Sequence, residues 1–145
     1  MNFKEILQDL LVENNINAKI LSGVIDIDHS SLYEYLSGTL PNVTNAVTIA
    51  NYFNCTLNFL FGLDNLPNEF KFKNVFNSSL FFTRYKKLLD EKNISHHKLC
   101  NETGVNKSSY WLWSKGSIPK CDTLLKIARF LDCSIDYLIG RSDEI

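Results

Sequence analysis

The sequence contains little Met, Pro, Gly and Cys, so its composition shows no sign of a fibrous, disordered or disulfide-rich protein. It has one Met, three Pro and six Gly among its 145 residues. Its four Cys include no CxxC pair, which leaves no evident set of paired metal ligands. With 45% hydrophobic and 21% charged residues, the composition is that of a folded soluble protein rather than a disordered tail.

Signals for export or membrane insertion are also missing. Residues 1–10 carry acids within their apolar stretch, and no cleavage site of small residues follows. The uncharged run 35–63 is long enough to cross a bilayer, but Asn, Thr, Ser and Pro interrupt it every few residues. We therefore expect a cytoplasmic protein without a membrane span.

The chain repeats itself. Residues 3–64, moved by 78 positions, align with residues 81–142 without a gap and with 16 identities. The shared positions are those that a small helical domain uses for its core and turns, and they include Leu21/Leu99, Gly38/Gly116, Pro41/Pro119, Cys55/Cys133 and Gly62/Gly140. The pattern predicts a tandem duplication.

We place the two predicted domains at residues 1–64 and 80–145, with a linker at 65–79. Each aligned copy has 62 residues, which is near the lower limit for an unassisted hydrophobic core. Packing of one copy against the other, or against a second chain, is therefore expected.

Apolar residues recur at helical spacing in both copies and predict an all-α fold with five short helices per copy. In the second copy the core-facing residues of the first and fourth helices are Phe81, Tyr85, Leu88, Leu89, Leu124, Ile127, Ala128 and Leu131. Helix starts are predicted at the capping residues Ser95, Asn106, Asp122 and Ser134. Gly104 and Gly116 provide the breaks around the third helix.

His96 and Cys100 lie four residues apart, with His97 beside them, and could seat two metal ligands on one helix face. Because no second pair accompanies them, we favour a helix start with a buried thiol and expect no metal. The histidines also have no evident nucleophile or carboxylate partner in their motif, and no glycine loop cradles a phosphate. Neither an enzyme nor a cofactor is expected.

Residues 94–119, ISHHKLCNETGVNKSSYWLWSKGSIP, followed by DTLLKIARFLDCSIDYLIG, resemble the helix-turn-helix domain of the Cro/C1 repressor type, also called the XRE family. The first copy resembles the same family less closely, through NAKILSGVIDIDHSSLYEYLSG and TNAVTIANYFNCTLNFLFG. The resemblance implies two tandem five-helix lambda-repressor-like DNA-binding domains. It also implies a repressor-like transcriptional regulator that binds double-stranded DNA.

The resemblance further implies roles for residues of the second copy. Its third helix, beginning at Asn106, would enter the major groove, where Lys107 and Ser108 would meet base edges. Phosphate contacts would come from Ser95, His96, His97, Lys115, Ser117 and Lys120. The residues expected to pack inward are Val105, Tyr110 and Trp113.

Two apolar residues stand where the family usually has polar or basic ones. Trp111 and Leu112 could contact thymine methyl groups, or they could form a protein interface. The alternative function is therefore a protein-binding helix-turn-helix module, antitoxin-like or anti-repressor-like. Lys107, Lys115 and Lys120 favour DNA.

Charge separates the two copies. Residues 1–66 carry two basic and seven acidic groups, whereas residues 67–145 carry thirteen basic and nine acidic groups. Because acids repel phosphates, the first copy is predicted not to read DNA.

The fourth and fifth helices of the first copy lack charge at four outward positions, and charge depletion is typical of an interface core. These interface candidates are Thr48, Asn51, Asn54 and Asn58. They would pack against the second copy as an intramolecular pseudo-dimer, or would form a homodimer. A homodimer would require a palindromic operator with half-sites about one helical turn apart.

Overall fold

The computed structural model describes residues 1–145 and divides into two compact units, Met1–Glu69 and Phe70–Ile145. It contains ten α-helices, one short 3-10 helix and no strand, so the all-α prediction is confirmed. None of the helices combines the length and the apolar character needed to cross a bilayer.

The first unit contains five helices that start at side-chain caps. They are α1 (Phe3–Glu13), α2 (Ala18–Val24), α3 (His29–Leu36), α4 (Val43–Tyr52) and α5 (Leu57–Leu60). The capping residues Asn2, Asn17, Asp28, Asn42 and Thr56 each accept a hydrogen bond from the backbone N–H three residues later. The core residues with no exposed surface include Leu7, Leu21, Leu32, Ile49 and Leu60.

The second unit opens with the 3-10 helix Ser78–Leu80. Five α-helices follow: α6 (Phe81–Glu91), α7 (His96–Thr103), α8 (Ser109–Ser114), α9 (Cys121–Leu131) and α10 (Ile135–Leu138). Helices α6, α7, α9 and α10 begin 78 residues after α1, α2, α4 and α5, respectively. Four left-handed turn positions obey the same offset, with φ of 57° at Asn15 and 55° at Asn93, for example.

Residues of the predicted linker belong to the two units, and hydrogen bonds join them to the rest of their own unit. The N–H of Thr56 donates to the carbonyl oxygen of Pro67 at 2.8 Å in the first unit. In the second unit the N–H of Lys73 donates to the carbonyl oxygen of Arg141 at 2.7 Å, and that of Asn77 to Ile139 at 2.9 Å. The contact at Asn77 is close, because a Cβ at Gly140 would lie 2.8 Å from the carbonyl oxygen of Asn77.

Two predicted helix starts are wrong, although Ser95 and Ser134 cap α7 and α10 as expected. The side chain of Asn106 accepts from the backbone of Ser108, two residues later, so it closes a turn and α8 begins only at Ser109. Helix α9 begins at Cys121, with Lys120 in the N-cap position. Asp122 lies in the first turn, where its charge favours the helix dipole.

The predicted interface residues of the first unit are not all on its surface. Asn54 is exposed, while Thr48 and Asn51 are half-buried. Asn58 is only 7% exposed, so its prediction as an outward residue is wrong. The reason is that α5 is a single short turn packed into the core, whose carbonyl at Asn58 accepts the N–H groups of Leu63 and Asp64.

A fully buried ion pair joins Asp136 to Arg141 in the second unit, with 2.7 Å between Oδ1 and Nη1 and no exposed surface on either side chain. The first unit has Asn58 and Leu63 at the positions 78 residues earlier. The same backbone course is therefore held without charges there. Removing one partner of a buried pair is costly because it leaves an uncompensated charge in a poorly solvated place.

We predict that Arg141→Leu lowers the free energy of unfolding of the second unit by about 3–5 kcal/mol. The double variant Asp136→Asn, Arg141→Leu copies the first unit and is expected to recover more than half of that loss. Both tryptophans of the chain, Trp111 and Trp113, lie in the second unit, so urea unfolding followed by their fluorescence reports on it alone. A double variant as unstable as the single one would contradict this reading.

A second prediction concerns the thiols. Burial raises the pKa of Cys121 and of Cys133 to about 12, and all four cysteines are buried and reduced. A thiol of the unfolded chain titrates near pH 8.5. The contribution of these two thiols to the free energy of unfolding is therefore fully present below that pH. It falls as the pH rises toward 12, because the unfolded chain ionises while the folded one does not. A thiol reagent at pH 8 should label neither thiol in the folded protein and both after denaturation. Rapid labelling of the folded chain would exclude the packing described.

Candidate nucleic-acid interface

Helices α7 and α8 are joined by the turn formed by residues 104–108. The Oγ of Ser95 accepts the N–H of Lys98 at 3.0 Å and starts α7. The helix ends at Gly104, whose φ of 78° favours a residue without a Cβ. Val105 then turns inward and is buried. The two helices thus leave the polar turn between them on the surface.

An aromatic cluster supports α8 from below. The Trp113 ring is buried edge-on against Phe81 and Tyr85, at centroid distances of 5.3 and 5.2 Å. The inward positions predicted for Val105 and Trp113 are therefore confirmed. The inward position predicted for Tyr110 is wrong, because Tyr110 stays 37% exposed with its ring centroid 5.0 Å from that of Phe82 and 4.9 Å from that of His96.

His96 joins three parts of the second unit through its ring. Its Nδ1 lies 2.8 Å from the Tyr85 hydroxyl of α6, and its Nε2 lies 3.0 Å from the carbonyl oxygen of Lys107. Because a carbonyl oxygen only accepts, Nε2 carries a proton and donates to Lys107, while Nδ1 shares a hydrogen bond with the Tyr85 hydroxyl. Burial raises the pKa of Tyr85 above its usual range, so its hydroxyl stays protonated and can take part in this hydrogen bond at neutral pH.

The phosphate contact predicted for His96 is therefore replaced by a different role. Both ring nitrogens are engaged within the protein, and the Cys100 sulfur lies 3.3 Å from Nε2. The ring instead fixes the backbone of Lys107 against the start of α7. The apolar spacing of α6 predicts Tyr85 only as a core residue. The signal for its further role is its hydroxyl, because a tyrosine hydroxyl within an apolar stripe needs a hydrogen-bond partner.

The other predicted polar contacts are exposed in three segments of the second unit. Ser95 and His97 lie at the start of α7. Asn106, Lys107 and Ser108 form the turn before α8, where the Asn106 Oδ1 accepts from both the N–H and the hydroxyl of Ser108, at 3.0 and 2.8 Å. The hydrogen bond of His96 brings the first two segments together. The third segment, after α8, contains Lys115, Ser117 and Lys120.

The outward face of α8 is apolar. Trp111 is 64% exposed and Leu112 is 48% exposed. The Lys115 ammonium lies 5.9 Å from the Trp111 ring centroid, at the outer limit of a cation–π contact. A basic group thus borders the exposed aromatic ring on this face of α8.

The matching segment of the first unit is acidic. Asp28 caps α3 by accepting the N–H of Ser31 at 2.8 Å, and hydrogen bonds from the side chain and backbone of Ser31 lower its pKa. Asp26 and Glu34 are exposed on either side. The unit Met1–Glu69 has two basic and eight acidic groups, a net of −6, whereas Phe70–Ile145 has thirteen and eight, a net of +5. Only the second unit has a charge that attracts DNA.

Comparison with known proteins agrees with this geometry. Residues 84–144 match the Cro/C1-type HTH DNA-binding domain family. YqaE of Bacillus subtilis (strain 168), an uncharacterized HTH-type transcriptional regulator, is 31% identical over 67 residues, or 45% of this chain and 58% of that protein. YobD of the same organism, described in the same way, is 29% identical over 66 residues, or 45% of this chain and 59% of that protein. The chain thus spans less than two thirds of either relative.

No solved structure matches the chain significantly. The helix-turn-helix geometry of α7 and α8, the positive charge of the second unit and the family match nevertheless coincide on the same residues. The similarity to the Cro/C1-type HTH DNA-binding domain family is confined to residues 84–144, which contain α7 and α8.

Proposed function

We propose that the chain is a sequence-specific, repressor-like transcriptional regulator that reads the major groove with α8 of its second unit and the turn before it. The observation that carries the proposal is the exposed turn at Lys107 and Ser108, held in place by His96 and Asn106. A binding site of this kind needs side chains whose backbone is fixed before DNA arrives, because ordering a loop on binding weakens the complex.

The turn favours particular base edges. The hydroxyl hydrogen of Ser108 is donated to Asn106, which leaves the Ser108 oxygen as an acceptor. An acceptor in the major groove pairs with the amino group of cytosine or adenine, whereas the ammonium of Lys107 pairs with the O6 and N7 of guanine. The turn therefore favours a cytosine or adenine beside a guanine.

The phosphate backbone would be contacted by the exposed polar residues around the turn. These residues are Ser95, His97, Lys115, Ser117 and Lys120. Such contacts fix the position of the domain without reading sequence. Each cation that neutralises a phosphate makes the slope of log binding constant against log salt concentration more negative by about 0.9.

We also propose that the chain arose by tandem duplication and that its first unit lost DNA binding. The shared 78-residue offset of helix starts and left-handed turns supports the duplication. The exposed Asp26, Asp28 and Glu34 support the loss. The uncharged Thr48, Asn51 and Asn54 remain candidates for a dimer contact, for which a palindromic operator is expected.

A protein-binding role is the second candidate, because the chain exposes apolar side chains beyond Trp111 and Leu112. Val12, Ile20 and Val24 of the first unit are exposed. The second unit has Asp90, Lys98 and Glu102 at the matching positions, so the fold itself does not require apolar residues there. Exposed apolar surface of this kind is typical of a contact with another protein.

Selection of duplexes from a random DNA pool tests the leading proposal. The intact protein should enrich one motif, and Lys107→Ala, Ser108→Ala should lose it with about 30- to 20,000-fold weaker binding, since each of the two base contacts contributes about 1–3 kcal/mol. Lys126→Ala, which removes an exposed cation from α9, is the matched control and should keep the motif. Failure to enrich any motif, together with salt-independent binding of a protein, would favour the second candidate.

Tyr85→Phe tests the positioning role of His96. The variant keeps the ring but removes the hydroxyl that holds Nδ1, so the turn at Lys107 should become less ordered. We expect the preference for the selected motif over random DNA to fall by about tenfold, while the salt-dependent affinity for random DNA stays the same. An equal loss on both DNAs would instead indicate general unfolding, which tryptophan fluorescence would also reveal.

A further inference from the structure

The first unit contains a recess of about 510 Å³ between α1 and the chain that follows α5. Asp9 and Glu13 of α1 line one side. The other side is lined by the aromatic residues Phe53 and Phe59 and by Asp64 and Asn65. A volume of this size is typical of sites for small molecules. The combination of aromatic rings and carboxylates suits an organic cation.

In the second unit, Arg84 of α6 places a guanidinium against the corresponding elements. Its Nη1 donates to the carbonyl oxygens of Tyr137 and Ser142, and its Nη2 lies 3.0 Å from Oδ1 of Asp143. The guanidinium carbon lies 4.3 Å from the Tyr137 ring centroid. The hydrogen bond from Arg84 lowers the pKa of Asp143, as expected for a carboxylate that accepts from a cation.

Every one of these residues has a counterpart that lines the recess of the first unit. At an offset of 78 residues, the counterparts of Tyr137, Ser142 and Asp143 are Phe59, Asp64 and Asn65, and the counterpart of Arg84 is Ile6. The first unit therefore keeps the surroundings of a guanidinium, whereas the residue that would supply it is aliphatic.

The backbone that accepts from Arg84 follows the same course in both units. The N–H of Gly140 donates to Tyr137 at 3.2 Å, and that of Gly62 donates to Phe59 at 3.0 Å. The carbonyl oxygen of Asp136 accepts the N–H groups of Arg141 and Ser142. In the same way, the carbonyl oxygen of Asn58 accepts the N–H groups of residues 63 and 64. A carbonyl oxygen has two lone pairs, so Phe59 can accept a further donor as Tyr137 does.

Charge around the recess also favours a cation. Asp9 replaces Lys87, and Asp64 replaces Ser142, while Glu13 matches Glu91. Three carboxylates thus border the recess in a unit whose net charge is −6. A guanidinium that enters it would be attracted by these carboxylates and by the face of Phe59.

We propose that this recess binds an alkylguanidinium ligand, whose planar head takes the place that the Arg84 guanidinium has in the second unit. The head would stack on Phe59 and donate to the carbonyl oxygens of Phe59 and Asp64. The alkyl chain would lie against Ile6 and Leu10, which line the recess. The ligand is either a free small molecule or an arginine side chain of another protein.

Calorimetric titration of the full chain with butylguanidinium tests the proposal, with butylurea as the neutral ligand of the same shape. Butylguanidinium should bind at one site, and butylurea should bind about tenfold more weakly or not at all, since charge-assisted hydrogen bonds are about twice as strong as neutral ones. Equal binding of the two compounds would overturn the proposal.

Variants locate the site. Ile6→Arg supplies the guanidinium from α1, as Arg84 does from α6, and should abolish binding, whereas Ile6→Met fills similar space without charge and should retain it. If Ile6→Arg does not fold, Asp9→Asn, Glu13→Gln removes two charges at constant size and should weaken binding about tenfold. Unchanged binding by a folded Ile6→Arg, or by the double variant, would contradict the site.

Two further ligands distinguish the source of the guanidinium. Tighter binding of agmatine, a free aminobutylguanidinium, than of the blocked arginine described next would support a small molecule as the natural ligand. Tighter binding of arginine blocked at both ends as amides would support an arginine of a protein partner. Because neither result depends on DNA, the outcome is independent of the DNA selection above.

Discussion

The hydrogen bonds of His96 hold together α6, the start of α7 and the turn before α8, which is the proposed DNA-reading segment. One ring nitrogen is hydrogen-bonded to the Tyr85 hydroxyl of α6, and the other donates to the backbone carbonyl of Lys107 in the turn before α8. Trp113 packs 5.7 Å from the same ring, so the start of α7, the turn and α8 share one anchor. Without it, any partner that contacts the exposed turn would have to order it on binding, and that ordering would reduce affinity.

The two units have matching helix starts and turns but different side chains at several buried positions. The buried ion pair of Asp136 and Arg141 has the neutral counterparts Asn58 and Leu63. The internal guanidinium of Arg84 has the aliphatic counterpart Ile6, beside a recess. Helix starts and turns coincide because caps and left-handed positions depend on local backbone geometry. Charges and cavities differ because they depend on which side chains fill the shared spaces.

Much of the fold could be predicted because its signals are local. The helical periodicity of apolar residues and the caps at Ser95 and Ser134 act within a few residues of where they are read. The wrong predictions concern residues that the local pattern allows to adopt more than one role. Asn106 closes a turn with Ser108 instead of capping α8, and α5 is so short that Asn58 enters the core. Periodicity cannot resolve the faces of a four-residue helix.

The sequence by itself determined the all-α class, the 78-residue offset between the two halves, the resemblance to a DNA-binding family and the opposite charges of the halves. These features depend on composition and on spacing along the chain. Only the tertiary structure decided that His96 supports the turn rather than contacting phosphate, and that Arg84 fills in one unit a space left open in the other. Both depend on contacts between residues in different segments of the chain, 11 positions apart for His96 and more than 50 for Arg84, and their geometry is fixed only when the helices pack.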